Sequence, residues 1–236
     1  MTNSHLMTKK DFQGIQMLGC CSTTTDEKPI SRKQREFARR EQEILAAAIS
    51  LFEDPHWETV TVEQIAKKAE IGKGTVYKHF TCKDDIYANI STGFMTRILT
   101  AYRIHDERTE IIDAIKEIIS TSFEMFLGNP AEARVSFYCK RGDFRERLTP
   151  ELKAEFEMLD EQFTGYIGTI LQKGINQGLL PNKPVEHLMM GLEATFDGAI
   201  GSIWNGDINC PQVEDQETYI TIISEYMVAG LVGLKK

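Results

Sequence analysis

At 236 residues, 42% of them hydrophobic, the chain is long enough for one or two compact units with a substantial core. It holds no apolar run of about eighteen residues that would span a membrane. The formal net charge of −8 excludes a uniformly basic coat for nucleic acid, yet residues 1–83 hold 13 Lys+Arg against 11 Asp+Glu while residues 84–236 hold 14 against 24.

Residues 1–31 are rich in Thr, Ser, Lys and Gly without periodicity and are expected to form a mobile extension. Within them Ile15–Cys21 contains Met-Leu-Gly-Cys, but no adequate apolar stretch precedes it, so neither a secretory signal nor a lipid anchor is expected. The five cysteines, Cys20, Cys21, Cys82, Cys139 and Cys210, match no zinc or disulfide framework. Reduced thiols in a cytoplasmic protein, with no metal and no cofactor, are the expectation. From Arg32 a basic start leads into Ile44, Leu45, Ala48, Leu51 and Phe52 at helical spacing, a first helix. Arg32, Lys33 and Arg35 are placed to follow a DNA backbone or to remain a solvated helix start. Trp57, in the connection that follows, is read as a packing plug.

Residues 61–83, TVEQIAKKAEIGKGTVYKHFTCK, carry the chemistry. The Thr61 hydroxyl can cap a helix while Gln64 reaches back to its amide. Val62, Ile65 and Ala69 give that helix an apolar stripe, with Lys67 and Lys68 on the wet side. Gly72 is expected to supply the positive φ that ends the helix and turns the chain. A second helix, about Lys73 to His79, then docks through Val76 and Phe80, four residues apart. That leaves Lys73, Gly74, Thr75, Tyr77, Lys78 and His79 to project outward. Lysines suit phosphates, Thr75 suits a base edge or a methyl group, and Tyr77 and His79 can donate to phosphate oxygens. Five lysines face only Glu63 and Glu70 in this stretch, the local positive charge that phosphate contact needs.

The run KGTVYKHFTCKDDIY, preceded by TVEQIAKKAEIG, resembles the signature of the tetracycline-repressor (TetR) family of bacterial regulators, over about residues 33–95. The resemblance implies that the second helix enters the major groove while Thr61, Val62 and Lys83 meet phosphate at helix starts. Val62 stands where members offer a hydroxyl, so only its backbone N–H is available there. It also implies a homodimer on a palindromic operator, a small-molecule effector bound in the body, and a repressor.

Beyond Lys83 the chain reads as wholly helical, with segments at about 83–105, 107–127, 131–139, 150–178, 185–204 and 215–234. With three before them, the expectation is an all-α fold of about nine helices: a mobile extension (1–31), a helix-turn-helix head (32–83) and a ligand-binding and dimerisation body (84–236). The helix from Lys83 links head to body and is the expected lever. Gly191, Ala194, Thr195, Gly198, Gly201 and Ser202 recur at three- and four-residue steps, and Ile223, Tyr226, Met227, Gly230 and Leu234 form an apolar stripe. Together they suggest dimerisation through the last two helices.

Among the aromatic residues of the body, the resemblance directs attention to Phe163, Tyr166, Met189 and Phe196 as the lining of an apolar or amphipathic effector site. Asp197 is its polar anchor, ahead of His187 and Glu193, though a buried carboxylate bonded to a neighbouring helix is the commoner arrangement. An architectural or partner-binding DNA protein that senses no small molecule is the alternative, and the two part on whether the body is hollow or filled. An enzyme built on His187, Asp143 and Cys139 has little support, because no HExxH, GxSxG or phosphate-loop pattern is present.

Overall fold

The computed structural model of this chain describes residues 31–104, 110–208 and 215–233. Among them are ten α-helices, one short 3-10 turn and no strand. The all-α expectation holds, with one helix more than anticipated. Expectations placed on residues 1–30, including Cys20 and Cys21, and on His105, Glu107, Cys210 and Leu234 lie outside the described residues.

By packing, the chain divides into Met1–Phe37 and Ala38–Lys236. In the first unit the Gln34 amide donates to the Ser31 hydroxyl at 3.2 Å and the Ser31 amide to Gln34 Oε1 at 2.9 Å, a reciprocal cap for the start of α1 (Arg32–Leu51). Ser-x-x-Gln is the sequence signature of such a cap.

In the second unit α1 contributes Ile44, Ala47 and Ala48 to the core. A 3-10 turn at Trp57–Thr59 leads to α2 (Val62–Lys68) and α3 (Lys73–Val76). The long α4 (Lys83–Tyr102) follows, then α5 (Ile111–Gly128) and α6 (Pro130–Cys139). The unanticipated helix is α7 (Gly142–Arg147). It is six residues long and buries only Phe144, too little to print a 3.6-residue stripe, and it begins at Gly142, a residue of low helix propensity. Then come α8 (Pro150–Asn176), capped by Thr149, α9 (Val185–Asn205), closed by left-handed Gly206, and α10 (Gln216–Val232), capped by Asp215.

Two apolar clusters organise this unit. One joins Ile44, Phe52, Trp57, Ile65, Val76 and Phe80 to Ile86, Tyr87, Val135, Phe144 and Phe156, so α1–α3 share a core with α4 and α6–α8. Trp57 is the plug expected of it. The rings Phe52, Trp57, Tyr87, Tyr138 and Phe144 succeed one another at centroid separations of 5.8, 5.4, 5.5 and 5.3 Å. The other cluster gathers Phe94, Ile98, Phe123, Phe126, Leu171, Ile200 and Met227 from α4, α5 and α8–α10. Each such side chain buried from water contributes about 1.5–3 kcal/mol.

Candidate nucleic-acid interface

The cap expected at α2 is present in both directions: the Gln64 amide donates to the Thr61 hydroxyl at 3.3 Å and the Thr61 amide to Gln64 Oε1 at 2.7 Å. Ile65 is fully buried, Val62 and Ala69 are half-buried against the same core, and Lys67 and Lys68 are exposed.

The turn after α2 differs from expectation. Its positive φ falls at Glu70 (φ 55), whereas Gly72 has φ −73 and ψ 145 and is the extended N-cap of α3. The hydrogen bonds explain this. The Ile71 amide reaches the Ala66 carbonyl at 3.0 Å and the Glu70 amide the Lys67 carbonyl at 3.2 Å, a Schellman closure whose left-handed position follows the C-cap Ala69 directly. By Gly72 the chain has already turned.

The helix proper of α3 stops at Val76. The chain stays tightly wound to Phe80 through amide bonds from Tyr77 to the Lys73 carbonyl (3.3 Å) and from His79 and Phe80 to the Val76 carbonyl (both 2.9 Å). Val76 and Phe80 point inward with 0% and 3% exposure. Gly74, Tyr77 and Lys78 are exposed, and Thr75 is half-buried. Nothing lies within 4 Å of a Cβ built on Gly74, so its backbone is open to approach.

His79 does not project as expected. Its side chain is only 6% exposed, with Nδ1 3.7 Å from a Glu41 carboxylate oxygen on α1. The register that buries Val76 and Phe80 also tucks the residue between them in the next turn against α1. Two lysines are engaged within the chain. Lys73 Nζ meets Glu63 Oε1 at 2.5 Å across the α2–α3 corner, and this partner raises its pKa. Lys83 Nζ donates to the Glu58 carbonyl at 2.6 Å and lies 5.1 Å from the Tyr87 ring centroid; burial lowers its pKa. Glu58 and Glu63 are partners that spacing along one helix could not reveal, since each acts from a neighbouring element. Cys82, the N-cap of α4, is exposed, with its sulfur 3.4 Å from Asp85 Oδ1. The Cys139 thiol is buried and pushed up to about 12, far from a thiolate at neutral pH.

The residues singled out in the body are packed against neighbours. Phe196 lies 5.0 Å from both Phe123 and Phe126, and Phe163 lies 5.9 Å from Tyr102. The Tyr166 hydroxyl donates to the Tyr102 carbonyl at 2.6 Å, and Met189 is half-buried in the same cluster. Asp197 bonds to Lys140, the C-cap of α6, at 3.0 Å, a lysine shared with Glu193. Burial raises the Asp197 pKa against the pull of that lysine. This is the carboxylate-to-neighbouring-helix arrangement. A surface hollow of about 250 Å³ lies elsewhere, lined by Arg145, Glu146, Lys153 and Glu157.

On α9, Gly191, Ala194 and Gly198 are exposed, with nothing within 4 Å of a Cβ built at either glycine; Thr195, Gly201 and Ser202 are half-buried. On α10 the anticipated stripe divides. Met227 is buried and Ile223 half-buried within the chain, whereas Tyr226 is 67% exposed, beside exposed Ile222 and Gly230.

Residues 44–90 match the family model for bacterial regulatory proteins, tetR family. The chain is 26% identical over 162 residues to the uncharacterized HTH-type transcriptional regulator YdeS of Bacillus subtilis, covering 68% of this chain and 74% of that one. It is 26% identical over 141 residues to the HTH-type transcriptional repressor KstR2 of Mycobacterium tuberculosis, covering 59% and 68%. In fold it resembles the transcriptional regulator FadR of Bacillus subtilis, solved in complex with stearoyl-CoA, with a TM-score of 0.63 at 19% identity over 80% of this chain and 98% of that one.

Proposed function

This chain belongs to the TetR family of bacterial DNA-binding transcriptional regulators, and from that premise we propose a homodimeric repressor of a palindromic operator, released by a small apolar or amphipathic ligand. The observation that carries the DNA reading is the open face of α3 and of the wound turn that follows it to Phe80. Gly74, Tyr77 and Lys78 stand in solvent on a corner held by the Thr61–Gln64 cap and by Val76 and Phe80 in the core. In this division of roles residues 32–83 read DNA and residues 84–236 sense and dimerise, in a cytoplasmic protein. Thr61, Val62, Lys73, Gly74, Thr75, Tyr77 and Lys78 supply the DNA contacts. Lys83 contributes its backbone amide at the α4 start, and His79 supports the reading segment from behind.

Two reading heads related by a two-fold axis match half-sites about 34–36 Å apart. The small-residue face of α9 and the Ile222–Tyr226 edge of α10 form the seam between copies. The amphipathic effector is supported by the neighbour solved with stearoyl-CoA, an acyl chain on a charged headgroup. Phe163, Tyr166, Met189 and Phe196 would line its site, with Asp197 as anchor, once those rings part. Ligand would favour one head spacing and DNA another, through a coupling of about 1–3 kcal/mol. A second reading, a DNA-binding protein that senses no small molecule, is favoured by one observation: Phe196 is already packed by a tilted Phe123 ring and a T-shaped contact with Phe126.

The test is binding of purified chain to genomic fragments in dilute buffer, followed by two substitutions on the recovered operator. Lys78→Ala should weaken every sequence alike and make the salt dependence shallower by about one phosphate contact. Thr75→Ala should instead shift preference among operator variants by about 1–3 kcal/mol. Failure to bind any fragment refutes the reading, and uniform losses for Thr75→Ala remove that residue from base recognition.

A further inference from the structure

We propose that Arg147 is a positioning residue: its clamp on the start of α4 determines which half-site spacing the protein accepts, an inference that rests on the dimeric DNA-binding reading above. Arg147, the last residue of α7, spreads its guanidinium over three acceptors. Nε donates to Asp84 Oδ2 at 3.0 Å, Nη1 to the Asp143 carbonyl at 2.9 Å and Nη2 to the Tyr138 hydroxyl at 3.1 Å. Its charge also lies 3.6 Å from Asp143 Oδ2 and 5.5 Å from the Phe144 ring centroid. A planar fork serves such divergent acceptors in one orientation, where an ammonium would serve one at a time.

The acceptors belong to different parts of the fold. Asp84 is the second residue of α4, and its neighbour Lys83 is bonded to the Glu58 carbonyl in the turn ahead of α2. Tyr138, on α6, packs its ring at 5.7 Å against Trp57 of that same turn and at 5.5 Å against Tyr87 of α4. One side chain therefore ties α7 and α6 to the two points, the α4 start and the Trp57 turn, from which the reading segment hangs. Asp84 and Arg147 are 63 positions apart, and α7 itself left no mark in the sequence pattern.

Burial separates a positioning role from a stabilising one. Arg147 is 43% exposed and Asp84 28%, and a pair this open contributes little to folding. The fold beneath it stands on the apolar cluster of Phe52, Trp57, Tyr87 and Phe144. What the clamp restricts is rocking of the α4 start over those rings. In a two-fold dimer, rocking of each head changes the distance between the reading segments.

The experiment uses the full chain and the operator recovered from genomic fragments, rebuilt as duplexes with the half-sites moved closer or apart by one and two base pairs. Each step moves a half-site by about 3.4 Å and turns it around the duplex. Wild-type protein should prefer one spacing. Arg147→Gln and Asp84→Asn should each flatten that preference by about fivefold or more. Affinity for a single half-site and the melting temperature should stay unchanged, and the double variant should be no flatter than the flatter single. Tyr138→Phe, which keeps the ring and removes one acceptor, should flatten it less, and remains informative if a charge variant folds poorly. The clamp is refuted by a wild type indifferent to spacing, by variants that keep the wild-type profile, or by losses equal at every spacing. A wild type that binds no duplex at all fails the DNA-binding reading itself, and the clamp with it.

Discussion

Glu70 shows how a single backbone position can carry a cost that composition conceals. It sits at φ 55 because the Schellman closure after α2 requires a left-handed residue there, a conformation in which an L side chain crowds the following carbonyl. Gly72, two residues on, takes up none of that strain. Glu70→Gly should therefore raise unfolding free energy by about 0.5–1 kcal/mol in urea denaturation, the crowding relieved outweighing the added freedom of the unfolded chain. Unchanged or lower stability would show that the Glu70 side chain makes a compensating contact. Nearby, exposed Lys73 is paired with Glu63, a bond that phosphate must displace, and Lys83 is bonded to a carbonyl, while Lys67, Lys68 and Lys78 are exposed as well. Local charge read along the chain overstated what is free to meet phosphate.

At the level of elements, the caps decide where helices begin, and one of them titrates. The Asp215 carboxylate accepts from the Thr218 amide at 2.7 Å at the head of α10, and that bond holds its pKa below the usual carboxylate range. A carboxyl depressed in the folded state contributes stability above its unfolded pKa of about 3.9, and the contribution disappears as pH falls through the lower folded value. Melting followed from pH 5 downward should show α10 weakening in that acidic window. Asp215→Asn, which caps without titrating, should match wild type at neutral pH and lose less on acidification. Identical acid profiles would mean that other carboxylates govern the loss. The short α7 shows the same dependence on context, since six residues are too few for propensity alone to hold a helix and Phe144 anchors them in the apolar cluster.

For the whole molecule the decisive question is how copies meet. The exposed face of α9 holds Gly191, Ala194 and Gly198, with Thr195 half-buried beside them, and no described atom lies within 4 Å of a Cβ built on Gly198. Gly198→Leu should therefore leave the single chain folded, with helix propensity improved by about 0.8–1 kcal/mol. It should also block close approach of a second α9, because helices pack at about 8–10 Å only where the contact side chains allow it. Sedimentation velocity should find wild type as a dimer and the variant as a monomer of unchanged helical content. A variant that remains dimeric would place the seam elsewhere. Loss of the dimer should also abolish preference for a two-half-site operator over a single half-site.

What the sequence determined by itself was whatever depends on short range: Thr61 and Gln64 capping α2, Val76 and Phe80 turned inward, Trp57 as a plug, and helices starting near 130 and at 150. Each follows from spacing within one or two helical turns, where rise and periodicity leave few alternatives. Only the tertiary structure decided that His79 faces Glu41, that Lys83 is bonded to Glu58, that Asp197 is matched by Lys140, and that Met227 turns inward while Tyr226 stays in solvent. Those partners come from other elements, in the case of Asp197 and Lys140 57 positions apart. Periodicity says that a helix has an inner face; which residue of a neighbouring helix meets it is set by packing the whole core at once, information no local spacing contains.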